Sequence, residues 1–284
     1  MTNVDIFTLI KSRFQSLTNT EKKVATFVVE HKKEVIYMSI TDLADACQVG
    51  DTSVFRFCRA MDLKGYQEFK ISIAHSLSLQ DETPQLSSEI TMQDTIDELA
   101  SKVLSSTVDA LSETRNLLNS KDMSKAVDEM INAERIHFYG VGSSLLTAME
   151  AKNKFMRITN KTECSIDTHL QMMTASLMTK NEVAVIISYS GSTKDSIEIA
   201  KVAKERGVPI ISITRFAKSP LTKYSDITLI CGANEGPLQG GSITAKISQL
   251  YLLDLLFAEY FKRTNKESIV NRERTAKSVI EKLL

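Results

Sequence analysis

The sequence predicts an all-α N-terminal domain followed by an α/β domain built on a five-stranded, parallel, doubly wound sheet. Three observations lead there. From Val4 to about Leu77 only helical periodicity is present. From Arg135 onward, short β-rich runs alternate with helical segments, the rhythm of parallel strands covered by helices on both faces. The run "VAVIIS", Val183 to Ser188, is apolar almost without a break, as a strand buried on both sides must be. A chain of 284 residues holds two domains comfortably. The polar stretch from Ser78 to Ser88, with Asp81-Glu82-Thr83-Pro84, reads as the connection. The expected division is 1–77, a linker at 78–100, and 101–284.

In the N-terminal part, Thr18-Asn19-Thr20-Glu21 has the spacing of a capping box opening a helix with Val24, Phe27, Val28 and His31 on its apolar face. Ser39-Ile40-Thr41-Asp42 is a second capping box, and Asp51 is placed to cap a third helix. Ser39 to Lys70 has the apolar spacing of a helix-turn-helix. Leu43, Ala44 and Val49 pack the first helix and turn, and Val54 locks the second helix onto them. Thr52, Ser53, Arg56 and Arg59 are left to face a groove, with Lys64 and Lys70 following as backbone contacts. Arginine can bond guanine in bidentate fashion, while hydroxyls and lysines hold phosphates. Charge alone does not decide the matter. Met1 to Leu77 carries ten basic and nine acidic residues, so a purely structural bundle fits the composition equally well. Helical pattern resumes near Thr91, where Ile96, Leu99, Val103, Leu104 and Val108 make a stripe.

In the C-terminal part the strand runs are Ile136–Tyr139, Thr162–Ile166, Val183–Ser188, Ile210–Thr214 and Ile227–Cys231, with helices such as Ser144–Ile158 and Lys194–Arg206 between them. Ligands of such sheets sit beyond the carboxyl ends of the strands, at the switch point of strand order. Two glycine- and hydroxyl-rich stretches lie there. "YGVGSS" offers Ser143 and Ser144 behind Gly140 and Gly142. "VIISYSGSTKD" crowds Ser188, Ser190, Ser192 and Thr193 around Gly191 and then feeds a helix. Helix N-termini favour anions through their unpaired N–H groups and dipole. Either loop alone is explained equally well by serine caps and glycine turns; two at successive strand ends point to an anion. A dinucleotide fingerprint needs a third glycine where Leu145 stands, which argues against that class.

"GVGSS" and "SYSGST" resemble the two signature loops of the sugar isomerase (SIS) domain, a flavodoxin-like fold, over about Ser101 to Lys262. The resemblance implies a phosphosugar ligand whose phosphate is held by Ser143, Ser144, Ser188, Ser190 and Thr193. His169, beside Asp167 in "IDTHL", is either a capping residue or a sugar contact. Glu235 stands near the point where SIS domains place a glutamate close to the sugar hydroxyls. Lys246, on the helix that follows, is either a ligand contact or an ordinary solvated or paired lysine. The segment from about Ile6 to Leu79 resembles the DNA-binding domain of RpiR/MurR-type bacterial regulators, which join a helix-turn-helix to a SIS domain. Those regulators usually have serine at the position of Gly50 and glycine at that of Asp62. Asp51 is expected to supply the missing cap, and aspartate tolerates a left-handed turn.

The resemblance implies a transcriptional regulator, most often a repressor, that binds double-stranded operator DNA and responds to a phosphosugar effector. "DTHL" resembles relatives that sense N-acetylated amino-sugar 6-phosphates. A homodimer or higher homo-oligomer is expected, through the Ile96–Val108 stripe and the apolar positions Ile269, Ile280 and Leu283. The alternative is a phosphosugar isomerase or lyase with His169 and Glu235 as acid and base. No cofactor or metal is expected, since Cys47, Cys58, Cys164 and Cys231 are scattered without ligand spacing. The first residues show no export signal. The longest apolar segment, Ser248 to Phe261, is broken by Asp254 and Glu259 and is too short to span a bilayer. A cytoplasmic protein with no membrane partner is the expectation.

Overall fold

The computed structural model describes residues 5–78, 90–233, 236–237 and 243–280. Its contacts divide the chain into two compact units, one formed by the chain up to Val108 and the other by Asp109–Ala233 with the chain from Ile243 onward.

The first unit contains α1 (Ile6–Arg13), α2 (Asn19–Glu30), α3 (Lys32–Val35), α4 (Ile40–Ala46), α5 (Asp51–Ala60) and α6 (Tyr66–Ser78). Both capping boxes form, Thr18 with Glu21 and Ser39 with Asp42. Val24 and Val28 of α2, Leu43 of α4, Val54 and Phe57 of α5, and Phe69 and Ile73 of α6 are all buried in one core. Within it Phe57 meets Phe69 edge-on, ring centroids 5.4 Å apart.

The turn from α4 to α5 is a Schellman motif with Gln48 left-handed at φ 56°. In it, Val49 N–H donates to Ala44 O at 2.9 Å and Gln48 N–H to Asp45 O at 3.0 Å. The same motif ends α5, where Leu63 N–H reaches Cys58 O and Asp62 N–H reaches Arg59 O. Asp62 holds the left-handed position itself, at φ 61°. The Arg13 guanidinium bonds the Asp62 carboxylate and holds its pKa below the usual range.

Asp51 corrects the expectation. Gly50 is the N-cap of α5, without a side-chain hydrogen bond, and Asp51 is the first helical residue. Its carboxylate accepts from the Thr41 hydroxyl at 3.2 Å instead. A side chain at Gly50 would meet nothing within 4 Å, and the backbone there is extended. Gly50→Ser therefore supplies the absent acceptor and stiffens the unfolded chain; denaturant melts should show a gain of about 0.5–1 kcal/mol.

α7 (Ile96–Asn116) begins inside the segment expected to be a linker. Its apolar residues Ile96, Val103, Leu104 and Val108 are exposed in this chain. Then follow α8 (Ser120–Asn132), β1 (Ile136–Gly140), α9 (Ser143–Phe155), β2 (Thr162–Glu163), α10 (Thr168–Leu177), β3 (Val183–Ile187), α11 (Lys194–Glu205), β4 (Ile210–Thr214), β5 (Ile227–Ile230), α12 (Ile243–Arg263) and α13 (Asn265–Ile280). The strands form one parallel sheet in the order β2-β1-β3-β4-β5. Residues of α8, α9 and α12 bury one face, and residues of α10 and α11 the other. Every residue of β1, β3 and β4 is buried, which explains the unbroken apolar run of β3 and the predominantly apolar runs of β1 and β4, where His137, Ser212 and Thr214 are the polar members.

The second strand is shorter than the expected Thr162–Ile166. It pairs with β1 only at Thr162 and Glu163, after which the Ser165 carbonyl turns to the Gln171 side chain. Ile269 and Ile280 of α13 are exposed, and Leu283 lies outside the described residues. No helix among the described residues is long and apolar enough to cross a membrane.

His137 of β1 is buried, its Nε2 3.1 Å from the Glu182 carboxylate. Burial outweighs the attraction of Glu182 and holds the imidazole pKa below its ordinary value. The unfolded chain therefore takes up this proton at higher pH than the folded one. The stability it represents is present above about pH 6.5 and is lost as the pH falls below that. Melting temperature should decline below that point in the wild type, and His137→Gln should flatten this part of the profile.

Candidate functional site

β1 and β3 are neighbours, and Gly140 pairs with Ile187, so the loops that follow them leave the sheet at the same level. α9 then covers one face and α11 the other, which makes this crevice the switch point of the sheet. Neither helix start is capped by a side chain, whereas Asn119 and Asp167 accept first-turn N–H groups at α8 and α10. At α9 the Ser144 and Leu145 N–H groups turn back to the Val141 and Gly142 carbonyls at 3.2 and 3.1 Å, so it is chiefly the first-turn amides of α11 that face the crevice for an anion.

The hydroxyls sit around them. Ser143 and Ser144 are half-buried, and their hydroxyls have no partner among the described residues. Ser188 is buried, with its Oγ 3.4 Å from Thr193 Oγ1. Ser190 Oγ accepts from Ser192 N–H at 3.2 Å, which shapes the turn and leaves the hydroxyl proton to donate elsewhere. Gly191 at φ 59° has no room for a side chain, since a Cβ would fall 2.2 Å from Ser219 Oγ. The structure thus gathers Ser143, Ser144, Ser188, Ser190 and Thr193 at two adjacent strand ends.

The other expected contacts are less uniform. Asp167 is the cap of α10, accepting from Leu170 N–H at 3.0 Å, so the capping role does not fall to His169. His169 stands exposed on the first turn of α10, at the same end of the sheet. Glu235 lies outside the described residues. Lys246 is half-buried in a groove of about 410 Å³ between α9 and α12, beside Leu146, Thr147 and Glu150. That places it near the second turn of α9. Gln171 escaped sequence reasoning. It is fully buried, and its Nε2 donates to Gly140 O at 3.0 Å and Ser165 O at 2.9 Å. It staples the end of β1 to the segment leading into α10, while its Oε1 has no hydrogen-bond partner among the described residues. A glutamine inside a ten-residue helix carries no local signal of such a reach.

In the first unit, α5 exposes Thr52, Arg56 and Arg59 and half-exposes Ser53, with Lys64 exposed beyond its end. Neither arginine forms an ion pair among the described residues, and the acid closest in sequence to Arg59, Asp62, is neutralised by Arg13. Phe55 is also exposed on this helix, with its ring packed beside Gly65. Lys70 is a correction. It is buried, its ammonium lies 3.3 Å from the Met38 carbonyl and over the Tyr66 ring, and it therefore does not share the face of Arg56.

Residues 4–80 match the helix-turn-helix domain of the rpiR family, and residues 129–259 match the SIS domain. An uncharacterised HTH-type transcriptional regulator of Caldanaerobacter subterraneus is 38% identical over 253 residues, 89% of each chain. The chain belongs to the rpiR family of transcriptional regulators. Another rpiR-type relative, the HTH-type transcriptional regulator HexR of Pseudomonas aeruginosa, is 33% identical over 87% of this chain and 86% of its own. The NanR protein of Vibrio vulnificus, solved in complex with ManNAc-6P, matches 98% of this rpiR-family chain and 100% of its own, at 29% identity and TM-score 0.87. The rpiR-family assignment makes this chain a DNA-binding regulator rather than an isomerase. The phosphoheptose isomerase GmhA of Neisseria gonorrhoeae, a solved structure with 16% identity to this chain and TM-score 0.52, covers 59% of it, which speaks for the fold alone.

Proposed function

We propose that this regulator senses a phosphosugar, an N-acetylated amino-sugar 6-phosphate by preference, and represses sugar or amino-sugar catabolism genes in the cytoplasm. The observation that carries the reading is the pair of hydroxyl-rich loops in register at the switch point, on a chain similar end to end to a protein that binds ManNAc-6P. Ser143, Ser144, Ser188, Ser190 and Thr193 hold the phosphate together with the first-turn amides, and His169, Glu235 and Lys246 serve the sugar. Operator DNA is read by Thr52, Ser53, Arg56 and Arg59, with Lys64 on the backbone. The working domains are 1–77 and 101–284, joined through 78–100. The protein acts as a homodimer, matching a two-fold operator.

A thermal-shift series tests the effector. ManNAc-6P, N-acetylglucosamine 6-phosphate, their unphosphorylated parents and inorganic phosphate are compared, with product analysis of each mixture. A phosphosugar at a hundred times its Kd stabilises the folded state by about 2.7 kcal/mol. Stabilisation by a parent sugar equal to that by its phosphate would sink the phosphate pocket, and turnover would restore the isomerase reading.

A further inference from the structure

The last turns of α7 are docked onto the loops that leave β3, β4 and β5. Ala110, Glu113 and Thr114 share one side of this helix by their i, i+3, i+4 spacing, and each meets a different loop. Tyr189, between Ser188 and Ser190, packs on the small buried cluster of Ala110, Ala233 and Ala245, and its hydroxyl donates to Ala233 O at 2.5 Å. Arg215, the residue after β4, donates its backbone N–H to Tyr189 O at 3.0 Å and brings its guanidinium to the Glu113 carboxylate at 2.9 Å. Gly232, after β5, donates to the Thr114 hydroxyl at 2.8 Å. It lies so close that a Cβ there would fall 2.6 Å from both Glu113 Cβ and Thr114 N.

Arg215 is therefore bonded at once to the backbone of the hydroxyl loop and to a carboxylate of α7. No shift of the Ser188–Ser190 backbone can leave the Tyr189 carbonyl and ring in place. We propose that Arg215 is a positioning residue of the effector site, and that its pairing with Glu113 makes filling of the hydroxyl loop and placement of the α7 end one equilibrium. The proposal rests on the reading of that loop as the effector pocket. A ligand that prefers one arrangement of the loop then selects one arrangement of α7, and α7 runs back without interruption to Ile96. Linkage requires the converse too: whatever fixes α7 alters affinity for the ligand by the same factor.

Full-length wild type, Glu113→Gln, Arg215→Lys and the charge-swapped Glu113→Arg/Arg215→Glu protein are compared with ManNAc-6P and N-acetylglucosamine 6-phosphate as probes. Effector affinity, operator affinity with and without effector, and amide exchange over residues 109–116 are measured. In wild type the effector changes operator affinity by about 5–150-fold, and in Glu113→Gln the change shrinks to about twofold or less while effector still binds. Effector alters exchange over 109–116 in wild type and not in Glu113→Gln, and the charge swap restores part of the coupling. Arg215→Lys, which keeps the charge and loses the planar fork, falls between. A purely structural pair would lower the melting temperature and leave the coupling factor untouched, which would overturn the proposal. If wild type binds neither probe, the pocket reading itself fails and the proposal falls with it, a result distinct from full coupling in the variants.

Discussion

Alanine at Arg56 lowers operator affinity by about 5–150-fold, the equivalent of roughly 1–3 kcal/mol for a lost base contact. Both arginines of α5 stand exposed and form no ion pair among the described residues, Arg59 bonding only the Leu63 carbonyl at 3.5 Å, on a helix whose opposite side carries Val54, Phe57 and Cys58 into the core. The exposed side is thus fixed by packing, and no rotation of α5 can withdraw Arg56 without exposing those residues. Arg59→Ala, if that side chain meets phosphate, weakens all sequences alike and reduces the salt slope by about one. Fluorescence anisotropy on operator and scrambled duplexes at several salt concentrations separates the two roles. Unchanged affinity in both variants would remove α5 from the interface.

The second large effect is expected in the hydroxyl loop. Ser188→Ala and Ser190→Ala each remove a neutral donor to a charged group, contributing about 1.5–3 kcal/mol, so phosphosugar affinity falls tenfold or more per contact. Ser190 also holds the Ser192 amide, so its loss loosens the turn around Gly191 as well. Operator binding without effector survives, because these serines belong to a different compact unit from Arg56. The expected phenotype is a regulator that occupies its operator and ignores the metabolite. Isothermal titration of effector, alongside operator titration, gives both numbers; a normal effector response in Ser190→Ala would move the phosphate elsewhere.

What could be read in the sequence is what neighbouring residues encode. Thr18 with Glu21 and Ser39 with Asp42 signal helix starts within four residues, and the apolar runs of β1, β3 and β4 signal strands buried on both faces. The two serine loops were legible because they abut those strands. The burial of Lys70 is not legible locally, because it depends on Tyr66 and on a carbonyl thirty-two residues earlier in the chain. Gln171 and the Arg215–Glu113 pair are invisible in the sequence for the same reason, since their partners are brought near only by the assembled fold. The end of β2 is not marked in the sequence, since Cys164 to Ile166 keep strand-like composition after the ladder has ended.

That early end of β2 governs how the sheet can grow. An edge strand recruits another chain by offering a row of backbone donors and acceptors, and β2 offers two residues of it. At the opposite edge, the connection around Leu117 to Asn119 lines a groove shared with Thr228 and Ile230 of β5. Continuous strand addition is thus curtailed on one side and flanked on the other. The homodimer proposed above would then be built through helices, and large apolar side chains such as Leu170, Met173 and Leu177 stand exposed along α10. Such contacts close into discrete assemblies when their symmetry is two-fold, whereas strand addition has no built-in stop.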